Sequence, residues 1–534
     1  MPKLHFFLAA SFGFLCLLQP AASGYCQEFP NDVCQASTSF VPGHNLLGEG
    51  FDVTTLSRKG ASVVDTSRWQ GPNGTCTLCR NPKMGSEKQR LPLMALDWRA
   101  YSTCEQRVDA SMQHSELEVA NAMATEVTND WKVELGLPPI QAAFGASRSQ
   151  ATVWAHQYSQ RDSYTFIMHE TSCENYQLRL ASIPSLLTPH FSHDVSNLPM
   201  EYPRKEYQRF INIYGTHYIS QMKLGARSRH LFGVRNCKAA LNGFTVSDFK
   251  DCLNVDTSLG SFWKNHFHSS KCIKLRREEV KGNLRDTFVK WHVAVMGGEE
   301  PEKMLSSEAP HLSEWLQSAK RHPEVVSYSL TPLYTLLSQS NPRRKALKQA
   351  ISDYITERAL RRSCDKQCPY DTFRSPEDHC SCMCHDSGLT DNNCCARARG
   401  RAHLKFYVKT ASDLWGDHFS AADAYVKVLF QGRERRTRVI AGTNSPEWHE
   451  TLDFGTVTLS YHNTFYLEVW DSDTWDDDVL HIFEGELKAG GTHEFIGHLT
   501  YGHITFSYEL KCAPTLSGPS CQTYIPLKQR APRP

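Results

Sequence analysis

A chain of 534 residues exceeds what one hydrophobic core usually supports, and its composition, 40% hydrophobic and 22% charged, is that of a globular protein built as two or more domains. Basic and acidic side chains nearly cancel, leaving a formal net charge of +1, so nothing in the charge points to nucleic acid as a partner. After residue 24 no apolar run approaches the ~20 residues of a spanning helix, and any entry into a membrane would need another kind of span.

Lys3, an apolar run from Leu4 to Leu18 and the small residues Ala21, Ala22, Ser23 and Gly24 read as a signal peptide, residues 1–24, with the mature chain starting at Tyr25. Cys16 would leave with it. Of the 19 cysteines the remainder is then even, the condition for a full disulfide set in an exported chain. Asn73-Gly74-Thr75 is a glycosylation triplet suited to that route. Cys26, Cys34, Cys76, Cys79 and Cys104 punctuate residues 25–105. Cys76-Thr77-Leu78-Cys79 could be a redox motif, but no βαβ pattern accompanies it, and two structural bridges back to Cys26 and Cys34 are expected. Gly48 to Thr54 reads as a strand. The spacing of Leu117, Val119, Ala120, Ala124 and Val127 predicts a helix from Ser115 to Trp131.

Two segments follow, Gln150 to Arg204 and Asp248 to Val295. In the first, Tyr164, Phe166 and Met168 alternate with Ser163, Thr165 and Ile167. In the second, a charged run from Lys271 to Asp286 precedes an alternation of Thr287, Val289, Trp291, Val293 and Val295 with Phe288, Lys290, His292 and Ala294. Cys173, Cys237, Cys252 and Cys272 fall in or between these segments and join the disulfide set. Between them lies Tyr214-Gly215-Thr216-His217-Tyr218. This pentapeptide resembles the signature of the MACPF family of pore-forming proteins, and Gly48 to Thr54, Leu241 to Val255 and Val325 to Leu337 are similar to other family segments.

The resemblance implies a MACPF domain over residues 25–361, α+β, with a bent antiparallel sheet and two helical clusters. Each of the two segments would be a helical cluster in the soluble form and unravel into a transmembrane β-hairpin after docking and oligomerisation. About fifty residues suffice for two tilted strands of ~10 residues across the hydrocarbon. Only a closed barrel satisfies every backbone group in lipid, so the hairpins of one subunit cannot insert alone. Leu224-Gly225-Ala226 stands where many family members carry a double glycine near the bend of the sheet. The pentapeptide is expected to hold sheet to helix rather than to supply a catalytic histidine at His217.

A helix is expected from Pro342 to Arg361. Residues 362–400 carry Cys364, Cys368, Cys380, Cys382, Cys384, Cys394 and Cys395. A zinc cluster would require ordered Cys-x-x-Cys pairs, which are absent; an EGF-like disulfide knot fits an oxidising compartment. By family resemblance the pairs are Cys364 with Cys380, Cys368 with Cys382 and Cys384 with Cys394. Over residues 401–511 short strands separated by turns resemble a C2 domain, an all-β sandwich. Residues 512–534 form a tail that Cys512 and Cys521 would close.

Trp470 to Asp478 reads W-D-S-D-T-W-D-D-D. Crowded carboxylates repel one another unless a cation sits among them, and hard oxygen donors on a loop suit Ca²⁺. A solvated acidic loop is the plain alternative. In the C2 pattern Asp417 and Asp423 match the first ligand loop, and Asp471 and Asp473 the start of the second. The position of the fifth ligand is Val479, so Asp477 or Asp478 must serve, with Asp478 slightly favoured. Trp415 and Trp475 flank the loops as membrane-contact candidates. His418 and Thr474 occupy tip positions where perforin-type domains carry further aromatics.

The resemblance to the perforin group spans Tyr25 to Cys521. It implies a secreted, calcium-dependent, pore-forming cytolytic effector that assembles into homo-oligomeric rings on a phospholipid membrane, is kept in cytolytic granules and admits granzyme-type cargo. A terminal complement-type protein and a non-lytic calcium-dependent adhesion protein are the alternatives. No enzyme is expected: the chain lacks a Gly-x-Ser-x-Gly turn, and His403 and Lys405 sit in a predicted strand without a following acid.

Overall fold

The computed structural model describes residues 25–36, 39–71, 73–137, 142–181, 186–252, 270–280, 287–305, 312–361, 368, 372–376, 382–416 and 420–527. The proposed signal peptide lies outside the described residues. The first described strand, Cys26–Phe29, joins Cys76–Asn81 and Glu87–Arg90 in a three-stranded sheet. Bridges Cys26–Cys79 and Cys34–Cys76 close it, so the Cys-x-x-Cys pair is structural. Asn73 lies exposed on the turn before Cys76.

A seven-stranded antiparallel sheet dominates the next part. Its long members are β1 (Ala95–Gln113), β2 (Tyr164–Leu180) and β3 (His217–Arg235). Cys104–Cys173 ties β1 to β2. The outer edge of β3 is shared by two shorter strands. β4 (Val289–Met296) pairs with Arg227–Val234 and β5 (Glu324–Pro332) with His217–Gly225. The sheet breaks between them. There Gly225 meets a register shift, and a Cβ on it would lie 1.7 Å from the Cys173 carbonyl oxygen. Gly297 and Gly298 follow β4 at the same level, so a double glycine does stand at the break, on the neighbouring strand rather than at residues 224–226.

Both faces of the distal half of this sheet are covered, which explains why alternate residues on both sides of β2 and β3 are buried. On one face, α1 (Glu116–Ala124) and α3 (Gln150–Ser159) set Val119, Met123, Ala151 and Ala155 against Phe166 and Leu231. On the other, α6 (Asn236–Ala240), α7 (Val246–Cys252) and α8 (Ser270–Val280) set Phe249, Cys252, Cys272 and Leu275 against Ile167, Phe232 and Val234. The proximal half packs α2 (Trp131–Leu135), α4 (Pro189–Asn197), α5 (Arg204–Tyr214) and α9 (Arg343–Arg358) into the largest core.

Several expectations are corrected here. The helix begun at Ser115, whose hydroxyl caps Glu118 N–H, stops at Ala124 instead of reaching Trp131. Asn129 Nδ2 donates to Leu330 O and Asn129 Oδ1 accepts from Leu330 N–H, so the chain bonds to the sheet edge where the helix would have continued. Gln150 to Arg204 is not a helical cluster, since its middle is β2, a strand at the heart of the sheet. The helices that join β1 to β2 occupy residues 114–163 instead. In the second segment the alternation after Val289 is β4, so the connection before it spans 236–288, and its described helices are α6, α7 and α8.

A buried charge network fastens the first connection to the sheet. The Arg227 guanidinium grips Glu126, Arg229 reaches Glu126 at 3.4 Å and Glu170 at 2.6 Å, and all but Glu170 are over nine-tenths buried.

The small hairpin Thr372–Arg374 with Cys382–Cys384 carries bridges Cys368–Cys382 and Cys384–Cys394. Cys364 and Cys380 lie outside the described residues. Cys395 pairs with Cys237, joining this module covalently to the start of α6. The C-terminal sandwich has two four-stranded sheets. One holds β6 (Arg401–Ser412), β9 (Glu447–Thr458), β12 (Gly491–His498) and β13 (His503–Cys512); the other β7 (Ala424–Phe430), β8 (Arg433–Arg436), β10 (Thr464–Asp471) and β11 (Asp478–Glu486). Phe406, Val426, Phe465, Leu467 and Phe506 fill the space between them. Among the described residues no helix is long and apolar enough to cross a membrane, and there is no closed barrel.

Candidate calcium and membrane site

Four loops meet at one end of the sandwich. Ala424 on β7 faces Asp471 on β10, which faces Asp478 on β11, so all three share one side of the sheet. Tyr425 and Trp470, one step away, turn to the other side, where Lys427 Nζ stands 3.6 Å from the Trp470 ring centroid. Asp471 is 3% exposed, and its Oδ1 accepts from Asp423 N–H at 2.6 Å. Asp423 Oδ1 accepts from Gly442 N–H at 2.6 Å, and its carbonyl accepts from Ser472 N–H. The first loop presses on Asp471 so closely that a Cβ on Gly416 would lie 1.7 Å from Asp471 Oδ2.

The two candidates for the last ligand separate here. Asp477 is drawn to the outer side, accepting from the Tyr425 hydroxyl at 2.7 Å and from Asp473 N–H at 3.2 Å. The phenol holds its carboxyl below the usual range, while burial and then Asp477 push Tyr425 up to about 12. Asp478 stands exposed on β11 in register with Asp471. Asp473, Thr474, Trp475 and Asp476 are exposed on the loop, with Trp475 at 97%. Asp417 and His418 lie outside the described residues, and among the described residues no three acidic, imidazole or thiol side chains are close enough to share an ion. The donors that are described are carboxylates on facing loops, the oxygen set that a hard divalent cation takes.

Sequence reasoning missed three supports of this end. Tyr425, a strand residue, gives no local sign of its contact with Asp477. Asn444, in the turn before β9, accepts from Ala422 N–H and so braces the first loop. Tyr501, on the β12–β13 loop, packs its ring 5.1 Å from that of Trp415 and carried no sequence signal. His403, the residue weighed for lipase chemistry, pairs with Asp453 on the sandwich surface.

The pentapeptide is buried in the proximal core. Tyr214 donates to Asp194 at 2.7 Å; Gly215 has φ of 80°, and a Cβ there would lie 2.4 Å from Phe51 O. Thr216 Oγ1 accepts from Val53 N–H, and His217 and Tyr218 begin β3 opposite Phe51 and Gly50. Burial pushes His217 down to about 3, so it is neutral and faces no solvent.

At the distal end of the sheet, Gln113 pairs with Phe166, Tyr164 with Arg235 and Val234 with Val289. Connections 114–163 and 236–288 therefore leave the sheet at the same end, each bridging two adjacent antiparallel strands. The base of the sandwich is tied there too. The Tyr524 hydroxyl donates to Asp162 at 2.7 Å, Arg235 pairs with Asp162 at 2.9 Å, and Asp162 is 1% exposed.

A family model described as the MAC/Perforin domain matches residues 38–363, and one described as the C2 domain matches residues 402–500. Perforin-1 of Homo sapiens is 37% identical over 519 residues, covering 94% of this chain and 93% of its own length. Perforin-1 of Mus musculus is 37% identical over 532 residues, covering 96% of each. Complement component C7 of Mus musculus is 29% identical over 350 residues, 62% of this chain and 39% of its own.

Proposed function

Because the chain belongs to the MAC/Perforin family and carries a C2 domain, we propose that it is a secreted, calcium-dependent cytolysin that perforates a target membrane as an oligomeric ring. The C2 domain docks first. Asp417, Asp423, Asp471, Asp473 and Asp478 hold calcium, which neutralises the loop end and bridges it to lipid headgroups, while Trp415 and Trp475 enter the interface with His418 and Thr474 beside them. Asp477, engaged by Tyr425, shapes the loop from outside.

The observation that carries the pore reading is the shared exit of connections 114–163 and 236–288. Each joins strands that are already antiparallel neighbours, so unravelling extends two existing pairs as hairpins without a new topology. The sandwich base is tied at that exit, with the calcium loops at its far end. β6, with 12 residues, gives the sandwich a length of ~40 Å. Two strands of ~24 residues reach ~80 Å fully extended, more than the length of the sandwich and ~30 Å of hydrocarbon together.

The alignment with perforins over nearly the whole chain favours this reading over a complement-type protein, whose match covers less of both partners. Storage in acidic granules and passage of granzyme-type cargo accompany it as further proposals, as do domain limits of 25–361, 362–400 and 401–511 with a tail at 512–534. No catalytic step is assigned. The test is dye release from phosphatidylcholine vesicles with and without calcium, with imaging of the membranes and analysis of the lipids. Calcium-dependent, size-limited leakage with rings and intact lipids is expected. Binding without leakage would leave adhesion, and lysolipid products would mean hydrolysis.

A further inference from the structure

The Cys252–Cys272 bridge lies inside the second connection, the part that the pore reading requires to refold. A bridge at an arbitrary place there would pin the two arms out of step. This one is nearly in step with the sheet. In the β3–β4 ladder Arg227 faces Met296 and Val234 faces Val289; continued outwards, that register brings Cys252 level with Lys271, one residue from Cys272. One β-bulge, such as the β1–β2 and β2–β3 ladders already contain, removes the difference. The Cα atoms of the bridge are 5.3 Å apart, within the ~4.5–5.5 Å of directly opposed residues in antiparallel strands, so it need not open for the arms to pair.

The sequence inside the bridge agrees. A separation of 20 leaves residues 253–271 within the loop, room for two strands of about eight residues and a tight turn, and with the bridging cysteine at its base each strand reaches the ~9 residues that cross hydrocarbon. With Cys252 opposite Cys272, Leu253, Val255 and Leu259 would fall on the same face as Trp263 and Phe267, which also carries Asn265 and, at the bridge end, Lys271. Asn254, Asp256 and Ser258 share the other face with Lys264, His266 and His268. A slip of one residue would set Val255 against His268 and Leu259 against Lys264, mixing both faces, whereas a barrel wall needs one for lipid and one for water. Resting on the pore reading, we propose that the Cys252–Cys272 bridge persists in the inserted form as a cross-strand staple at the membrane boundary and fixes the register of the second hairpin.

The test uses wild-type protein on calcium-loaded phosphatidylcholine vesicles, alkylated without reductant, digested and analysed by mass spectrometry. A linked Cys252–Cys272 peptide from leaking vesicles is expected; alkylated Cys252 and Cys272 there would overturn the staple while leaving the pore. Vesicles that never leak would count against the pore reading itself. Environment-sensitive probes at Val255 and Asp256 read the register. Quenching by lipid-borne quencher at 255 and not at 256 is expected, and the opposite phase would overturn it.

A separate observation concerns the sandwich. By sequence, His418 and Thr474 fall where aromatics would strengthen anchoring, and Tyr501 stands 54% exposed on a fourth loop with its ring against Trp415, itself 42% exposed. The turn is firm: Leu499 N–H donates to Gly502 O, and Thr500 Oγ1 lies 3.3 Å from His481. Resting on the calcium-dependent docking reading, we infer that Tyr501 is a further lipid-contact residue that partly replaces those aromatics. Tyr501→Ala should weaken calcium-dependent binding to phosphatidylcholine vesicles on the order of tenfold, the effect of keeping about half a ring in water. Tyr501→Trp should restore it. Terbium luminescence without lipid should be unchanged. Wild-type vesicle binding by Tyr501→Ala, or a parallel loss of terbium binding, would overturn the assignment; a wild-type protein that ignores calcium would instead sink the docking reading.

Discussion

Among single residues, Asp477 and Asp478 show how one step along the chain changes a carboxylate's role. Asp478 shares the side of Asp471, whereas Asp477 is turned away and engaged by Tyr425. Asp478→Asn is therefore expected to raise the calcium needed for vesicle binding roughly tenfold, from the ~10⁻⁴–10⁻³ M range of extracellular modules, and Asp477→Asn to raise it far less. A calcium titration of vesicle co-sedimentation checks both. His217 offers a second test. Its folded-state pKa is about 3 through burial, against ~6.5 unfolded. Above ~6.5 neither state binds the proton; as pH falls below it, only the unfolded chain does, so stability declines by about 1.4 kcal/mol per pH unit until the folded value is reached. Urea unfolding at about pH 5 should show about 2 kcal/mol less stability from this residue than at neutral pH, and His217→Phe should flatten the slope. His230, lowered to about 4 by burial and then by His169, adds to the same trend.

Between elements, the first connection is held to the sheet by charge as well as by apolar contact. Glu126 follows α1, while Arg227 and Arg229 belong to β3 and Glu170 to β2. Removing one partner of such a buried set leaves an uncompensated charge, so Glu126→Ala should cost about 3–5 kcal/mol in urea unfolding. Glu126→Leu combined with Arg227→Met, Arg229→Met and Glu170→Leu should recover most of it, because apolar packing then replaces the whole network. The same elements show what periodicity could and could not convey. The half-apolar alternation at Ser163 to Met168 is indeed a strand, but the extent of its segment was misjudged. A strand covered on both faces and the helices before it look alike when only apolar spacing is read.

For the whole molecule, the sandwich carries its calcium loops at one end and its attachment at the other. Asp162 there is bound by Tyr524, Arg235 and Leu527 N–H. Asp162→Ala should lower the melting temperature and expose the chain after Cys521 to protease, while calcium binding at the far end stays as it was; proteolysis beside terbium titration checks this. Acid should act in the opposite place. The ligand carboxylates bind calcium only when ionised, so docking present near neutral pH is expected to fade as pH falls. The Tyr425 hydroxyl holds the Asp477 carboxyl below its usual range, so this outer brace of the loop keeps its charge as pH falls. Flotation with vesicles between about pH 5 and pH 7.5 measures it, with binding that does not vary as the contrary result.

Short-range chemistry was legible before any coordinates. The cysteine count announced a disulfide framework, and the pentapeptide with its flanking segments the family, since such signals need only residue types and short spacings. Tertiary structure alone decided the rest. Which carboxylate faces Asp471 is a matter of cross-strand register, and Tyr501 reaches Trp415 only because β12 and β13 bring a distant loop to the same end. That both helical connections leave the sheet together follows from strands paired across some 42 to 71 residues, and no local pattern encodes such pairing.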